Sequence, residues 1–198
     1  MTDSDLLREI LNEAYIETLT TWCDGTNAAR LTEPNQDNSF VIIKGLPEDA
    51  VIIKTDKFPS HNYQPDHNYF FNDTNGMRRR SDYLIISESK KQALFIEIKA
   101  IRKNRKRVEG SEVVDQLKGA TCLYEYCKHI AEAFWSENNF LGGYSCRYAL
   151  IFIYGINKAP STPKQANDNS TPEKMLIINK VNQETIEYNK IIGTKKVK

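Results

Sequence analysis

The chain has 198 residues, 40% of them hydrophobic and 27% charged, with a mean hydropathy of −0.56. That is enough to bury one sizeable core, too polar for a membrane protein and too apolar, with too little net charge, for a disordered one. No window approaches eighteen consecutive apolar residues and the acidic start MTDSDLLREI lacks the basic-then-apolar order of a secretory leader, so the expectation is one cytoplasmic domain over 1–198. The formal net charge of +1 leaves partners to be read from the distribution of charge.

In chain order, SDLLREILNEAYIETLTTWC predicts an amphipathic helix over 4–23, with Ser4 as N-cap and Glu9, Glu13 and Glu17 together on its polar face. DGTNAARLTEPNQDN reads as a polar loop, and SFVIIKG and AVIIKTD as two short β-branched runs forming a hairpin or a broken strand around LPED. Residues 57–80, rich in Asn and aromatics without a period, read as a long excursion. Its His61, Asp66 and His67 are expected to be exposed or hydrogen-bonded rather than metal ligands.

SDYLIIS and ALFIEIKAI predict two antiparallel strands joined by a short turn near 87–92. A helix follows from Glu112 to Trp135, capped by Ser111, with Val113, Leu117, Ala120, Tyr124, Cys127 and Ala131 on its inner stripe. RYALIFIYGI (147–156) is apolar enough for a central strand, and a crossover through the helix would lay it parallel to its neighbour. A loop over about 157–173, a last strand in KMLIINKV and a basic tail, TKKVK, complete the chain. Cys23, Cys122, Cys127 and Cys146 form no CxxC pair and are expected to be reduced core thiols.

Alternation along LFIEIKAI puts Phe95, Glu97 and Lys99 on one face, and pairing through the turn brings Asp82 opposite residues 97–99. A buried carboxylate pair repels itself unless a cation compensates, and hard oxygen donors select Mg2+ or Mn2+, which also engages phosphate oxygens. The competing reading is a same-face salt bridge between Glu97 and Lys99 on a half-exposed strand. Eight of the 27 basic residues bracket this region: Arg78, Arg79 and Arg80 before it, and Arg102, Lys103, Arg105, Lys106 and Arg107 after it. Such clustering on a near-neutral chain points to a local anion site suited to nucleic-acid phosphates.

Asp82 in SDYLII, Glu97-Ile98-Lys99 in LFIEIK and the long helix that follows resemble the PD-(D/E)xK nuclease superfamily. The resemblance implies a restriction-endonuclease-like α/β fold: a mixed sheet flanked by helices around an αβββαβ core. It implies a metal-dependent endonuclease acting on nucleic acid, with DNA the expected substrate. Asp82, Glu97 and the Ile98 carbonyl would be ligands of Mg2+ or Mn2+, and Lys99 would orient water or stabilise charge. A first-helix glutamate, Glu13 or its rivals Glu9 and Glu17, would join the metal, and Gln116 would stand near it on the long helix. Two departures stand out: Ser81 replaces the proline, and the tyrosine expected four residues after Gln116 is Ala120, the nearest being Tyr124. A homodimer or a place in a larger complex would suit such a protein. The alternative is a nucleic-acid-binding or regulatory subunit that kept the fold and lost activity.

Overall fold

The computed structural model describes residues 1–33, 38–56, 76–77, 79–101, 109–155, 159–163 and 168–193. Helix α1 (Asp3–Ile10) is capped by Thr2 rather than Ser4, in a reciprocal box: the Thr2 hydroxyl accepts from Asp5 N, and the Asp5 carboxylate accepts from Thr2 N. Ser4 is instead buried, and its hydroxyl donates to the Asp49 carbonyl at 3.1 Å.

The helix expected over 4–23 stops after Ile10, where Leu11 turns extended. The Asn12 side chain then accepts from Ala14 N and caps a 3-10 turn at Glu13–Tyr15. An Asn side chain competes with helical backbone bonding in this way, and the β-branched Ile16, Thr18, Thr20 and Thr21 favour extended chain beyond it. The result is two short strands, β1 (Ile16–Glu17) and β2 (Thr20–Thr21).

Eight further strands follow: β3 (Asn27–Thr32), β4 (Phe40–Leu46), β5 (Val51–Lys54), β6 (Tyr83–Ser87), β7 (Gln92–Ile101), β8 (Ser145–Tyr154), β9 (Leu176–Val181) and β10 (Thr185–Glu187). The larger sheet has the order β1-β5-β6-β7-β8-β9, antiparallel as far as β7 and parallel from β7 to β9. A second mixed sheet has the order β10-β4-β3-β2. The protein is therefore mixed α/β, with two sheets and few helices among the described residues.

The second sheet corrects two expectations. Strands β4 and β5 do not form a hairpin, because β4 pairs with β3 and β10 while β5 pairs with β1 and β6. The segment read as a polar loop supplies β3, whose Ala28, Ala29 and Leu31 are all buried; alanine is too weak a strand former to announce this.

Helix α2 (Gly110–Trp135) connects β7 to the parallel β8 and buries the six residues expected on its inner stripe. Its N-cap position is Glu109, without a side-chain cap bond, rather than Ser111. Together with α1 it covers one face of the larger sheet, over Val51, Ile53, Leu84, Ile86, Phe95 and Leu150. The other face, with Ile52, Ile85, Leu94, Ile96, Ile98 and Ile151, packs on Leu31, Val41 and Ile43 of the second sheet and on Tyr188 and Ile191 of the short helix α3 (Tyr188–Ile191). Both faces of β6 and β7 are thus buried, which is why these strands read as almost unbroken apolar runs.

The 157–173 segment is more than a linker. Asn169 is buried, its side-chain amide donates to the Ile191 carbonyl at 2.9 Å, and its own carbonyl accepts from Tyr148 N at 3.0 Å. The four cysteines are free thiols, as expected, but only Cys127 lies in the core: Cys23 and Cys122 are exposed and Cys146 is half-buried. Among the described residues no helix is long and apolar enough to cross a membrane. His61, Asp66, His67 and the TKKVK tail lie outside the described residues.

Candidate active site

Strands β6 and β7 pair in the register Tyr83↔Ile96 through Ser87↔Gln92. One step beyond Tyr83, the same register sets Asp82 opposite Glu97. Leu84, Ile86, Ala93 and Phe95 lie on the face covered by α1 and α2, so alternation carries Glu97 and Lys99 to that face as well. The Asp82 carboxylate accepts a 2.6 Å hydrogen bond from Ile98 N, which anchors it to the backbone between Glu97 and Lys99. On the opposite side, Thr55 N donates to the Asp82 carbonyl at 2.9 Å. The structure brings Asp82, Glu97 and Lys99 to one end of the sheet, where the β6–β7 ladder gives out.

Burial makes this corner electrostatically tense. Asp82 is 6% exposed and Glu97 0%. Lys99 Nζ lies 2.5 Å from Glu97 Oε1, but neither Glu97 oxygen has a hydrogen bond of acceptable geometry among the described residues. Burial raises the Glu97 carboxyl to about 7, against the downward pull of Lys99 and of the nearby Asp82 N–H and Gln116 amide. Asp82 is also pushed well above the usual carboxylate range, by burial first, then by the charge of Glu97, with a smaller push from Asp56. The Ile98 N–H and Lys99 oppose that rise without cancelling it. For Lys99, burial acts downward, but Glu97, Asp82 and Glu112 together hold it above its ordinary value, so it stays an ammonium.

The remaining candidates divide. Gln116, on the first turns of α2, reaches Glu97, and its Oε1 is buried without a hydrogen bond. Glu13 does not lie on a helix face with Glu9 and Glu17: it sits exposed in the 3-10 turn, Glu9 is exposed on α1, and Glu17 in β1 is 2.7 Å from Lys54 Nζ. The further carboxylate acting on Asp82 is Asp56. Sequence reading missed it because its place follows only from the β5–β6 register, in which Lys54 faces Tyr83 and Thr55 therefore faces Asp82. Glu112 was missed for the same kind of reason, since it acts on Lys99 across the helix–sheet interface. Lys118 turns away and pairs with Glu173 at 2.7 Å, with both side chains 55% exposed.

Of the basic residues, Arg79 is exposed and lies 3.8 Å from Asp115, and Arg80 is half-buried. Arg78 and the run Arg102, Lys103, Arg105, Lys106 and Arg107 lie outside the described residues. Among the described residues no group of three or more His, Cys, Asp or Glu side chains could hold a metal ion. What converges instead is two carboxylates and one ammonium, and one or two carboxylates are what Mg2+ or Mn2+ uses when water and substrate oxygens complete the shell. The fully buried carboxylate of Glu97, whose oxygens make no hydrogen bond of good geometry among the described residues, fits such a hard cation. Compared with protein-family models, with curated proteins and with solved structures, the chain matches none.

Proposed function

We propose that the protein is a metal-dependent endonuclease that hydrolyses phosphodiester bonds of nucleic acid, with DNA as its substrate. The observation carrying this reading is Glu97: a wholly buried carboxylate held against one ammonium and beside a second buried carboxylate, with no hydrogen bond of good geometry to either oxygen among the described residues. A fold keeps such a group at a cost of several kcal/mol, and a divalent ion would relieve it. The strand order supports the reading too. Along the larger sheet the chain runs α1, β1, β5, β6, β7, α2, β8, β9, so the αβββαβ order that the resemblance implies is contained in it, with β1 and β9 as added edge strands.

In this reading Asp82, Glu97 and the Ile98 carbonyl hold the ion. When bound, it supplies Lewis acidity that lowers the pKa of water and offsets charge gathering on the phosphodiester. The short bond from Ile98 N fixes the Asp82 carboxylate before substrate arrives, so little reorganisation is left for the reaction. Lys99, the ammonium at the mouth of the site, orients the attacking water and shares the phosphate charge. Water adds to phosphorus, one P–O bond breaks, and the strand ends as a phosphate monoester and a hydroxyl. Arg79 and Arg80, on the segment leading into Asp82, would contact flanking phosphates, and the same role is proposed for Arg78 and the bases Arg102, Lys103, Arg105, Lys106 and Arg107, which lie outside the described residues.

One observation favours a second reading. Lys99 already lies against Glu97 Oε1, as it would in a purely structural pair within a nucleic-acid-binding or regulatory protein. Cleavage separates the two. Purified protein with plasmid, single-stranded DNA and RNA should cut in Mg2+ or Mn2+ and not in chelator. Asp82→Asn, Glu97→Gln and Lys99→Met should each lose at least about 100-fold in rate while circular dichroism stays unchanged. Folded wild-type protein that binds nucleic acid but never cuts it would select the second reading.

A further inference from the structure

Gly119 lies in the middle of α2, where glycine is among the poorest of helix formers. Its surroundings explain why it is there. A Cβ at this position would lie 1.7 Å from the Arg79 carbonyl oxygen and 2.9 Å from the Arg79 carbonyl carbon, distances no side chain can occupy. The backbone that leads into Asp82 therefore crosses directly against the helix, and only a residue without a side chain lets it do so. On the other side of the same segment, the buried Thr55 hydroxyl donates to the Ser81 carbonyl, and Thr55 N donates to the Asp82 carbonyl at 2.9 Å. Ser81 itself is fully buried. Residues 79–82 are thus held between α2 and β5, and the Asp82 carboxylate emerges from that grip onto Ile98 N at 2.6 Å.

We infer that Gly119 and Thr55 are positioning residues: they clamp the 79–81 backbone between α2 and β5 and so aim the Asp82 carboxylate at the Glu97–Lys99 corner. The consequence for metal binding rests on the nuclease reading above; the geometric claim does not. An added methyl at Gly119 must push either the segment or the helix away. The helix is pinned by Val113, Leu117, Ala120 and Tyr124, all buried in the core, whereas residues 79–82 have no strand pairing among the described residues. The segment gives way, and Asp82 moves with it.

The Ile98 amide reports this without any metal. In the full chain, its proton should resonate far downfield and exchange slowly, because it donates a short bond to a carboxylate. In Gly119→Ala it should move upfield and lose protection, while Leu94 and Ile85, deeper in the sheet, keep theirs. Mn2+ affinity, read by paramagnetic resonance or calorimetry, should fall about 10- to 100-fold, as when an outer-shell support of a ligand is lost. Gly110→Ala, with nothing within 4 Å of its added methyl, is the control and should change neither. Thr55→Val, which removes only the hydroxyl, should shift the Ile98 amide in the same direction by less, and it carries the test should Gly119→Ala not fold. An Ile98 amide unchanged in both variants overturns the inference. If wild-type protein takes up no Mn2+ yet the amide moves as described, the nuclease reading falls and the clamp stands.

Discussion

Replacing both members of the buried pair, in Glu97→Met/Lys99→Met, should make the metal-free protein more stable while ending its activity. Unbranched methionine follows the path of either side chain and can fill the space each leaves. Raising the Glu97 carboxyl from its ordinary 4.5 to about 7 corresponds to about 3 kcal/mol against the native state once the group is ionised. The Glu97–Lys99 attraction is already included in that figure. The sign follows from proton counting: between 4.5 and 7 the native state holds the proton that the unfolded chain has released, so stability falls as pH rises through that window. The penalty is absent below 4.5 and complete above about 7. Removing Glu97 also removes the largest charge acting on Asp82, and this outweighs the loss of Lys99 there.

Exchange of a buried ion pair for apolar side chains typically yields about 1–4 kcal/mol, so a gain of about 1–3 kcal/mol is expected at pH 8. For a chain of this size that is roughly 2–4 °C of Tm per kcal/mol. Urea denaturation in chelator at pH 8 and pH 5 measures it, and the advantage should shrink at the lower pH. Lys99→Met alone should instead be destabilising, because it leaves Glu97 buried with no cation. A double variant more than about 1 kcal/mol less stable than wild type at pH 8 would show that the pair holds the fold together, and the case for a site retained against stability would fail.

Two further substitutions test the frame around the site. The Tyr83 hydroxyl accepts from Thr32 N and donates to Thr32 O, each at 3.0 Å, and so joins the larger sheet to β3. Tyr83→Phe strands both backbone groups and should cost about 1–3 kcal/mol in urea denaturation; a loss below about 0.5 kcal/mol would mean the two sheets do not depend on this tie. The Asp49 carboxylate accepts from Ser89 N at 2.6 Å, from the Ser89 hydroxyl at 2.8 Å and from Ser87, pinning the β6–β7 turn. Burial pulls its pKa up, but these donors hold it below 3.8, so its contribution is present above 3.8 and is lost as pH falls through the lower, folded value. Asp49→Asn should cost about 1 kcal/mol at pH 7 and progressively less below pH 4, and an equal cost at pH 3 would exclude a charge-based role.

Legibility followed the range of the interactions. Short-range patterns sufficed for the inner stripe of α2, for the β6–β7 hairpin and for the shared face of Glu97 and Lys99, because each depends on a period or a turn within about twenty residues. The second sheet did not show, because β10 reaches β4 from more than 140 residues away and β3 is built on alanines, whose burial reflects close sheet packing rather than strand preference. The first helix was read too long because Leu6, Leu7, Ile10 and Leu11 continue smoothly into Tyr15, and nothing in that stripe shows that Asn12 will cap a new turn. With the helix ended, Glu13 lost its place on a helical face. Asp56 gained its own only through a register between strands some 27 residues apart.

These failures share a cause that also bears on the site. Asp82 lies one residue outside β6, where no ladder bond to β7 holds it, and its position is fixed by Thr55, Ile98 and the bare backbone of Gly119. A site at the frayed end of a hairpin needs such outside support, because a strand's own register loses its grip within a residue or two of the last pair. That support comes from β5 and α2, which local pattern cannot connect to Asp82. The carboxylates themselves are legible because they break an apolar run, whereas the groups that aim them look ordinary in sequence: a threonine after a strand and a glycine in a helix.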